Sequence, residues 1–102
     1  MHAISPATIL NTVSAIYGVP VKDLTGPKGL SPIAYGRRCA VHYMATLGNM
    51  ANPDIAKVLK RSMSYVSTVR RNYGELYKYD AHELGRIDDV RRALLNLEGV
   101  AA

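Results

Sequence analysis

The feature that most constrains this chain is a helix-start signal that occurs three times. A serine or asparagine is followed directly by proline at Ser5-Pro6, Ser31-Pro32 and Asn52-Pro53. Ser and Asn cap a helix by accepting a hydrogen bond from a free backbone N–H, and proline is tolerated at the first helical position because it has no N–H to satisfy. Each pair therefore predicts the start of a helix.

Apolar residues recur at helical spacing after each signal, and no segment alternates with the period of two that is typical of a strand. Gly18 and Gly48 are the stop signals of the first two long helices. Further helical segments are predicted over residues 21–24, 54–59, 63–79 and 81–97. We predict an all-α domain with five to six helices.

Two apolar stripes define the buried sides of the last two predicted helices. One stripe consists of Val66, Val69, Tyr73 and Leu76, and the other of Leu84, Ile87, Val90, Leu94 and Leu97. Tyr73, Tyr77 and Tyr79 also form a cluster, which is either a stacking platform for nucleic-acid bases or part of the core. Because Tyr73 lies on the first stripe, core packing is the favoured interpretation.

The composition excludes several classes of protein. A chain of 102 residues is long enough for one domain with an ordinary core. The single cysteine, Cys39, excludes an internal disulfide framework and a cysteine-rich zinc site, and the scattered histidines predict no other metal site. No apolar run approaches the ~20 residues of a membrane span, and the N-terminus does not resemble a secretory signal. We expect a cytoplasmic protein.

The positive charge is concentrated in one part of the sequence. Residues 1–79 carry ten Lys/Arg against three Asp/Glu, whereas residues 80–102 carry three against five. Between Lys57 and Lys78, six basic residues stand against one acidic residue, Glu75. This part of the chain is either an ordinary solvated helix face or the surface that a polyanion approaches.

Residues 53–71 combine this charge with a pattern that is typical of a helix-turn-helix. Ile55, Ala56 and Leu59 form the apolar stripe of a short helix, and Val66 and Val69 form that of a second helix after a polar turn. In a helix-turn-helix the second helix enters the major groove of DNA. A plain helical hairpin is the alternative, and the arginines around the turn favour the DNA-binding interpretation.

The candidate DNA contacts lie on and around the second helix. Ser64, Thr68 and Arg71 share its exposed face, and short polar side chains there can reach phosphates or base edges. The residues predicted to face the groove are Ser62, Met63, Ser64, Tyr65, Ser67 and Thr68. The residues predicted to contact phosphates are Arg37, Arg38, Lys57, Lys60, Arg61, Arg70 and Arg71.

A resemblance to a known protein family extends along the chain beyond the helix-turn-helix, and the following residues carry it. They are Val13, Tyr17, Val21 and Asp23-Leu24, then Ile33-Ala34, Arg37 and Ala40, and finally Leu47 and Pro53-Asp54-Ile55-Ala56. Through these residues, positions 8–79 resemble the C-terminal DNA-binding domain of the bacterial replication initiator DnaA, a Trp-repressor-like helix-turn-helix fold. The resemblance implies that fold and DNA binding.

The chain departs from that family in the residues that read sequence. With one residue fewer in the turn, Arg61 and Val66 match the family's Gly-Gly-Arg-Asp-His-Thr/Ser-Thr-Val motif, but the Asp-His-Thr-Thr of that motif is replaced by Ser62-Met63-Ser64-Tyr65. The basic loop of the family is replaced by residues 26–30, in which Lys28 is the only basic residue, and Tyr35 stands where the family tends to have Arg. The resemblance therefore does not extend to recognition of the initiator's own origin boxes.

Two functions of different classes remain open from the sequence. The first is a small DNA-binding protein of bacterial or phage type, a transcriptional regulator that binds double-stranded DNA as a monomer or a homodimer. The second is a protein-interaction module on a scaffold that has lost specific DNA reading. No nucleophile motif or Gly-rich phosphate loop is present, so we expect no enzyme activity, cofactor or small-molecule substrate. The acidic segment 80–102 either closes the core or pairs with a second copy.

Overall fold

The computed structural model describes residues 3–97, which form six α-helices and no strand. In chain order the helices are α1 (Pro6–Tyr17), α2 (Val21–Leu24), α3 (Ser31–Thr46), α4 (Asn52–Leu59), α5 (Met63–Leu76) and α6 (Ala81–Leu97). The predicted all-α class with five to six helices is confirmed. No helix within these residues combines the length and the apolar character needed to cross a membrane.

The first helix begins and ends as its sequence predicts. The Ser5 hydroxyl accepts a hydrogen bond from the Thr8 N–H over 3.2 Å, and Pro6 follows as the first helical residue. α1 ends at Gly18, whose φ of 68° lies in the left-handed region that glycine adopts without strain. The Gly18 N–H then donates to the carbonyl of Ser14.

The other two start signals place their helices correctly but assign the cap to the wrong residue. Leu30 and Ala51 occupy the cap positions of α3 and α4, and neither side chain makes a capping hydrogen bond. Ser31 and Asn52 are already the first helical residues. The proline that follows each is still tolerated because the first four N–H groups of a helix have no intrahelical partner.

The long helix α3 lies at the centre of the fold and packs against α1, α2, α4 and α5. The fully buried residues of the core include Ile9, Val13, Leu24, Cys39, Val41, Met44, Ile55, Leu59, Val66, Val90 and Leu94. Gly36 allows close packing at the centre, since a Cβ there would lie 3.1 Å from Leu24 Cδ2. α4 and α5 pack together on one side of α3.

The predicted stripe of α5 is wrong at its last position. Leu76 is 50% exposed, and Tyr77 is buried in its place with 3% exposure. The helix ends at Leu76 rather than Tyr79, so the backbone leaves helical geometry at Tyr77 and no longer follows the helical repeat. Core packing is thus confirmed for Tyr73 and Tyr77, whereas Tyr79 is 91% exposed.

α6 packs against α1 and closes the core, which is one of the two roles considered for it. Two residues of its predicted stripe, Leu84 and Leu97, are exposed. Glu83 is instead completely buried: its Oε2 accepts a hydrogen bond from the Tyr17 hydroxyl over 2.5 Å, and its Oε1 lies 3.0 Å from Arg86 Nη2. A buried carboxylate of this kind is held in place by its donors.

Candidate nucleic-acid interface

Helices α4 and α5 are joined by a turn of three residues, and the whole unit is here called the α4–α5 pair. The turn begins at Lys60, whose φ of 56° is left-handed and ends α4. Ser62 then caps α5, because its Oγ accepts a hydrogen bond from the Tyr65 N–H over 3.1 Å. The apolar residues Ile55, Leu59, Val66 and Val69 are buried between the helices and α3.

The outer face of α5, defined as Ser64, Thr68 and Arg71, is exposed as the sequence predicts. These residues are four and three positions apart, so they form one line along the helix. Met63 precedes them at the N-terminal end and is 53% exposed. Lys57 and Lys60 are exposed on α4 and the turn. The structure therefore leaves eight predicted contact residues on the surface, namely Lys57, Lys60, Ser62, Met63, Ser64, Thr68, Arg70 and Arg71.

Arg37 is wrongly predicted as a DNA contact. It is only 4% exposed. Its guanidinium donates to the carbonyls of Leu24, Asp23, Gly26 and Lys28 over 2.8, 2.8, 3.1 and 2.5 Å. Burial lowers the pKa of Arg37, and the nearby charge of Arg61 adds to this shift. Arg37 therefore closes the end of α2 and the following loop, and its guanidinium is bound within the protein.

Arg38 and Arg61 are half-buried and have partners within the protein. Arg38 donates to the Tyr77 hydroxyl over 2.9 Å, and its guanidinium lies 5.6 Å from the centre of the Tyr35 ring. Arg61 donates to the Gly26 carbonyl over 2.6 Å. These bonds use some of the five donors of each guanidinium, so both side chains retain charge and further donors near the surface.

Tyr65 does not extend from the interface as an exposed tyrosine would. It is half-buried and packs against the hydrophobic core. Burial raises the pKa of its hydroxyl, while the charges of Arg37, Arg38 and Arg61 act in the opposite direction. A tyrosine that partly covers the turn describes this position better than the predicted contact in the groove. Its surroundings nevertheless identify a cluster of three arginines beside the turn.

Asn52 is a site residue that the sequence did not reveal. Its Nδ2 donates to Ser67 Oγ over 3.2 Å, and its Oδ1 accepts a hydrogen bond from Arg70 Nη1. Two predicted contact residues of α5 are therefore held by one amide from the first residue of α4. The sequence signal at this position, Asn followed by Pro, indicated a helix cap and concealed the contact between helices.

The electrostatics of the α4–α5 pair differ from those of α6. Within residues 3–97, the cations Lys57, Lys60, Arg61, Arg70 and Arg71 form no salt bridge with a carboxylate. On α6, by contrast, Arg91 and Arg92 pair with Asp88 and Asp89 of the same helix over 2.8–3.4 Å. Five cations without a carboxylate partner among the described residues thus lie on and beside α5.

The described part of the chain contains no group of three or more His, Cys, Asp or Glu side chains placed to hold a metal ion. Cys39 is buried in α3, and burial raises the pKa of its thiol to about 12. A neutral, buried thiol is neither a nucleophile nor a metal ligand. In comparisons with known proteins, no family model matches the chain and no curated protein is found to be similar to it.

Proposed function

We propose that this chain is a small DNA-binding protein, a transcriptional regulator that places α5 in the major groove through the α4–α5 pair. The observation that carries the proposal is the outer face of α5. Ser64, Thr68 and Arg71 are exposed in one line, and cations without a carboxylate partner among residues 3–97 flank them. Short polar side chains on a helix flanked by arginine can contact base edges and phosphates together.

Side-chain chemistry divides the exposed residues into those suited to phosphate contacts and those suited to base contacts. Arg71, Arg70, Lys57 and Lys60 carry charges that suit phosphate oxygens, and such contacts fix the position of a protein on the duplex. Ser64 and Thr68 have hydroxyl groups that can donate to or accept from a base edge, and the Thr68 methyl can contact a thymine methyl. Met63, at the start of α5, adds an apolar contact of the same kind.

The resemblance to the DnaA DNA-binding domain supports the same function and limits it. Where that family has Asp-His-Thr-Thr, this chain has Ser62, Met63, Ser64 and Tyr65, and Tyr65 packs against the core. The side chains available at the start of α5 therefore lack the carboxylate and the imidazole of that motif. We expect a preferred site different from the origin boxes of the initiator.

The first test is binding of the protein to a random duplex at ~50 mM salt, a condition in which phosphate contacts are strong. Mobility shifts are expected in the micromolar range or tighter, with an affinity that falls steeply as salt rises. Absence of binding at ~50 mM salt would overturn the proposal and favour the alternative, an interaction module on a related scaffold.

The second test is selection of bound sites from a random duplex library. An enriched sequence is expected, because the outer face of α5 offers hydrogen-bonding groups to bases. A palindromic site would show that the protein acts as a two-fold homodimer, and a single half-site would show a monomer. Enrichment of no sequence would reduce the proposal to non-specific DNA binding.

A further inference from the structure

The side chain of Asn52 connects α4 to α5 at two points. Its Nδ2 lies 3.2 Å from Ser67 Oγ, and its Oδ1 accepts a hydrogen bond from Arg70 Nη1. The orientation of the amide is fixed by chemistry, because a guanidinium only donates and so must face the amide oxygen. The amide nitrogen then faces Ser67.

The bond from Arg70 to Asn52 has no evident task in the fold itself. Ala51, not Asn52, occupies the cap position of α4, so the amide does not begin the helix. Contact between α4 and α5 is provided by the buried residues Ile55, Leu59 and Val66. Arg70 is exposed, and hydrogen bonds at exposed positions add little to stability. The arrangement is better explained by what it does to the two side chains of α5.

We infer that Asn52 is a positioning residue that directs Arg70, and with it the hydroxyl of Ser67, toward a phosphate of the DNA backbone. This inference rests on the function proposed above. A free arginine on a helix surface samples many rotamers, and ordering it on binding lowers affinity. The bond to Asn52 orders the guanidinium in advance and uses one of its five donors, so that the others remain for a phosphate.

The chemical nature of the acceptor matters for this role. An amide is neutral, so it holds the guanidinium without cancelling its positive charge. An aspartate at the same position would hold Arg70 at least as firmly, but it would neutralise the charge and repel the phosphate. The amide also determines the direction of the Ser67 hydroxyl: since Ser67 Oγ accepts from Asn52 Nδ2, its own proton is free to point toward an acceptor such as a phosphate oxygen.

The experiment is a double-mutant cycle on one duplex, with wild type, Asn52→Ala, Arg70→Ala and the double variant measured across a salt series. Arg70→Ala is expected to bind roughly tenfold more weakly near 0.1 M salt and to lower the salt slope by about one unit. Asn52→Ala is expected to weaken binding about three- to tenfold in wild type, because Arg70 loses its fixed geometry. In the Arg70→Ala background, Asn52→Ala should reduce DNA affinity much less than it does in wild type.

The variant Asn52→Asp distinguishes two roles of Asn52: positioning Arg70 for a phosphate, and clamping α4 to α5 for stability alone. A structural clamp that lies away from the bound DNA would be preserved by the carboxylate, so both stability and DNA affinity would be kept. Under the inference, the thermal midpoint stays at or above that of wild type, while the affinity and the salt slope fall as in Arg70→Ala. The matched control is Asn11→Ala, which removes an exposed amide on α1 and should bind DNA as wild type does.

Two outcomes would overturn the inference while the proposed function stands. In one, wild type binds the duplex and Asn52→Ala binds equally well. In the other, Asn52→Ala reduces DNA affinity by the same factor whether or not Arg70 is present. If wild type fails to bind duplex at low salt, the proposed function itself fails, and the inference falls with it.

Discussion

Arg37 and Arg61 donate hydrogen bonds to the same atom, the backbone carbonyl oxygen of Gly26, over 3.1 and 2.6 Å. Arg37 comes from α3 and Arg61 from the turn between α4 and α5. Two like charges beside one oxygen repel, and the charge of Arg61 contributes to the lowered pKa of Arg37. The carbonyl dipole offsets this repulsion, and the shared acceptor joins the loop 25–30 to the turn of the α4–α5 pair.

Arg37 is expected to be a stability residue. Arg37→Met keeps the apolar stem but leaves the carbonyls of the α2–α3 loop without their donor. Because one buried and three part-buried acceptors lose a charged partner together, we expect the free energy of unfolding to fall by about 2–4 kcal/mol. Urea unfolding at neutral pH measures this loss. Arg71→Met is the matched control and should change stability by no more than about 0.5 kcal/mol; equal effects would contradict the assignment.

Arg71 is expected to act on DNA binding alone. Arg71→Ala removes one phosphate contact from the outer face of α5, so affinity should fall for every sequence and the salt slope should decrease by about one unit. Mobility shifts across a salt series measure both quantities. Arg92→Ala removes the same charge from α6, where Arg92 pairs with Asp88 and Asp89. It should leave the slope unchanged, and an unchanged slope in Arg71→Ala would refute the assignment.

The sequence predicts the positions of the helices, but it does not predict which arginines are buried. Helix positions follow from local signals, since proline, glycine and apolar spacing act within a few residues. The adjacent residues Arg37 and Arg38 look equivalent in the sequence, yet Arg37 is buried because the loop 25–30 folds over it. Which arginine is covered depends on contacts between distant segments, and a helical repeat carries no information about them.

The burial of Glu83 in the core is a second feature that the sequence does not predict. Its place on α6 predicts an exposed charge, and Leu84 beside it predicts a core residue. The structure reverses the two, because the Tyr17 hydroxyl lies 66 positions earlier in the chain and within 2.5 Å of the Glu83 carboxylate. Asn52 is a related case, in which a local cap signal and a contact between helices use the same residue type. Pairings of this kind are specified only by the folded chain.

Lys60 is expected to lower the stability of the protein through its left-handed backbone and to raise DNA affinity through its charge. Its φ of 56° is left-handed, a conformation that costs most residues about 1–2 kcal/mol and glycine almost nothing. Lys60→Gly should therefore raise the free energy of unfolding by about 1 kcal/mol. The same change removes a cation from the turn, so DNA affinity should fall and the salt slope should decrease by about one unit.

Asn49 provides the control for Lys60, since its φ of 55° is also left-handed and it lies between α3 and α4. Asn tolerates this region better than Lys does, so Asn49→Gly should stabilise the protein less. It should leave DNA affinity unchanged. Urea unfolding and mobility shifts on both variants separate the two effects, and a Lys60→Gly protein that gains stability but binds DNA as wild type would exclude Lys60 from the interface.

Cys39 is expected to make the protein less stable in alkali. Burial raises the pKa of its thiol from 9.0 to about 12. The unfolded chain therefore loses the thiol proton near pH 9 while the folded chain keeps it, so rising pH favours unfolding. The contribution of Cys39 is fully present below pH 9 and is lost between pH 9 and 12. Burial also raises the pKa of Tyr17 and Tyr73, which adds a further loss that begins near pH 10.

Comparison with Cys39→Ala isolates the part that belongs to the thiol. The variant lacks the titrating group but keeps the tyrosines, so the stability difference between wild type and variant should narrow by about 1 kcal/mol from pH 8 to pH 10. Urea unfolding in the presence of a reductant measures this difference, and circular dichroism verifies that both proteins are folded at each pH. The native thiol should also react slowly with a disulfide reagent at pH 8, because its thiolate is scarce and covered. A stability difference that does not change with pH would show that the Cys39 thiol titrates alike in the folded and unfolded chains.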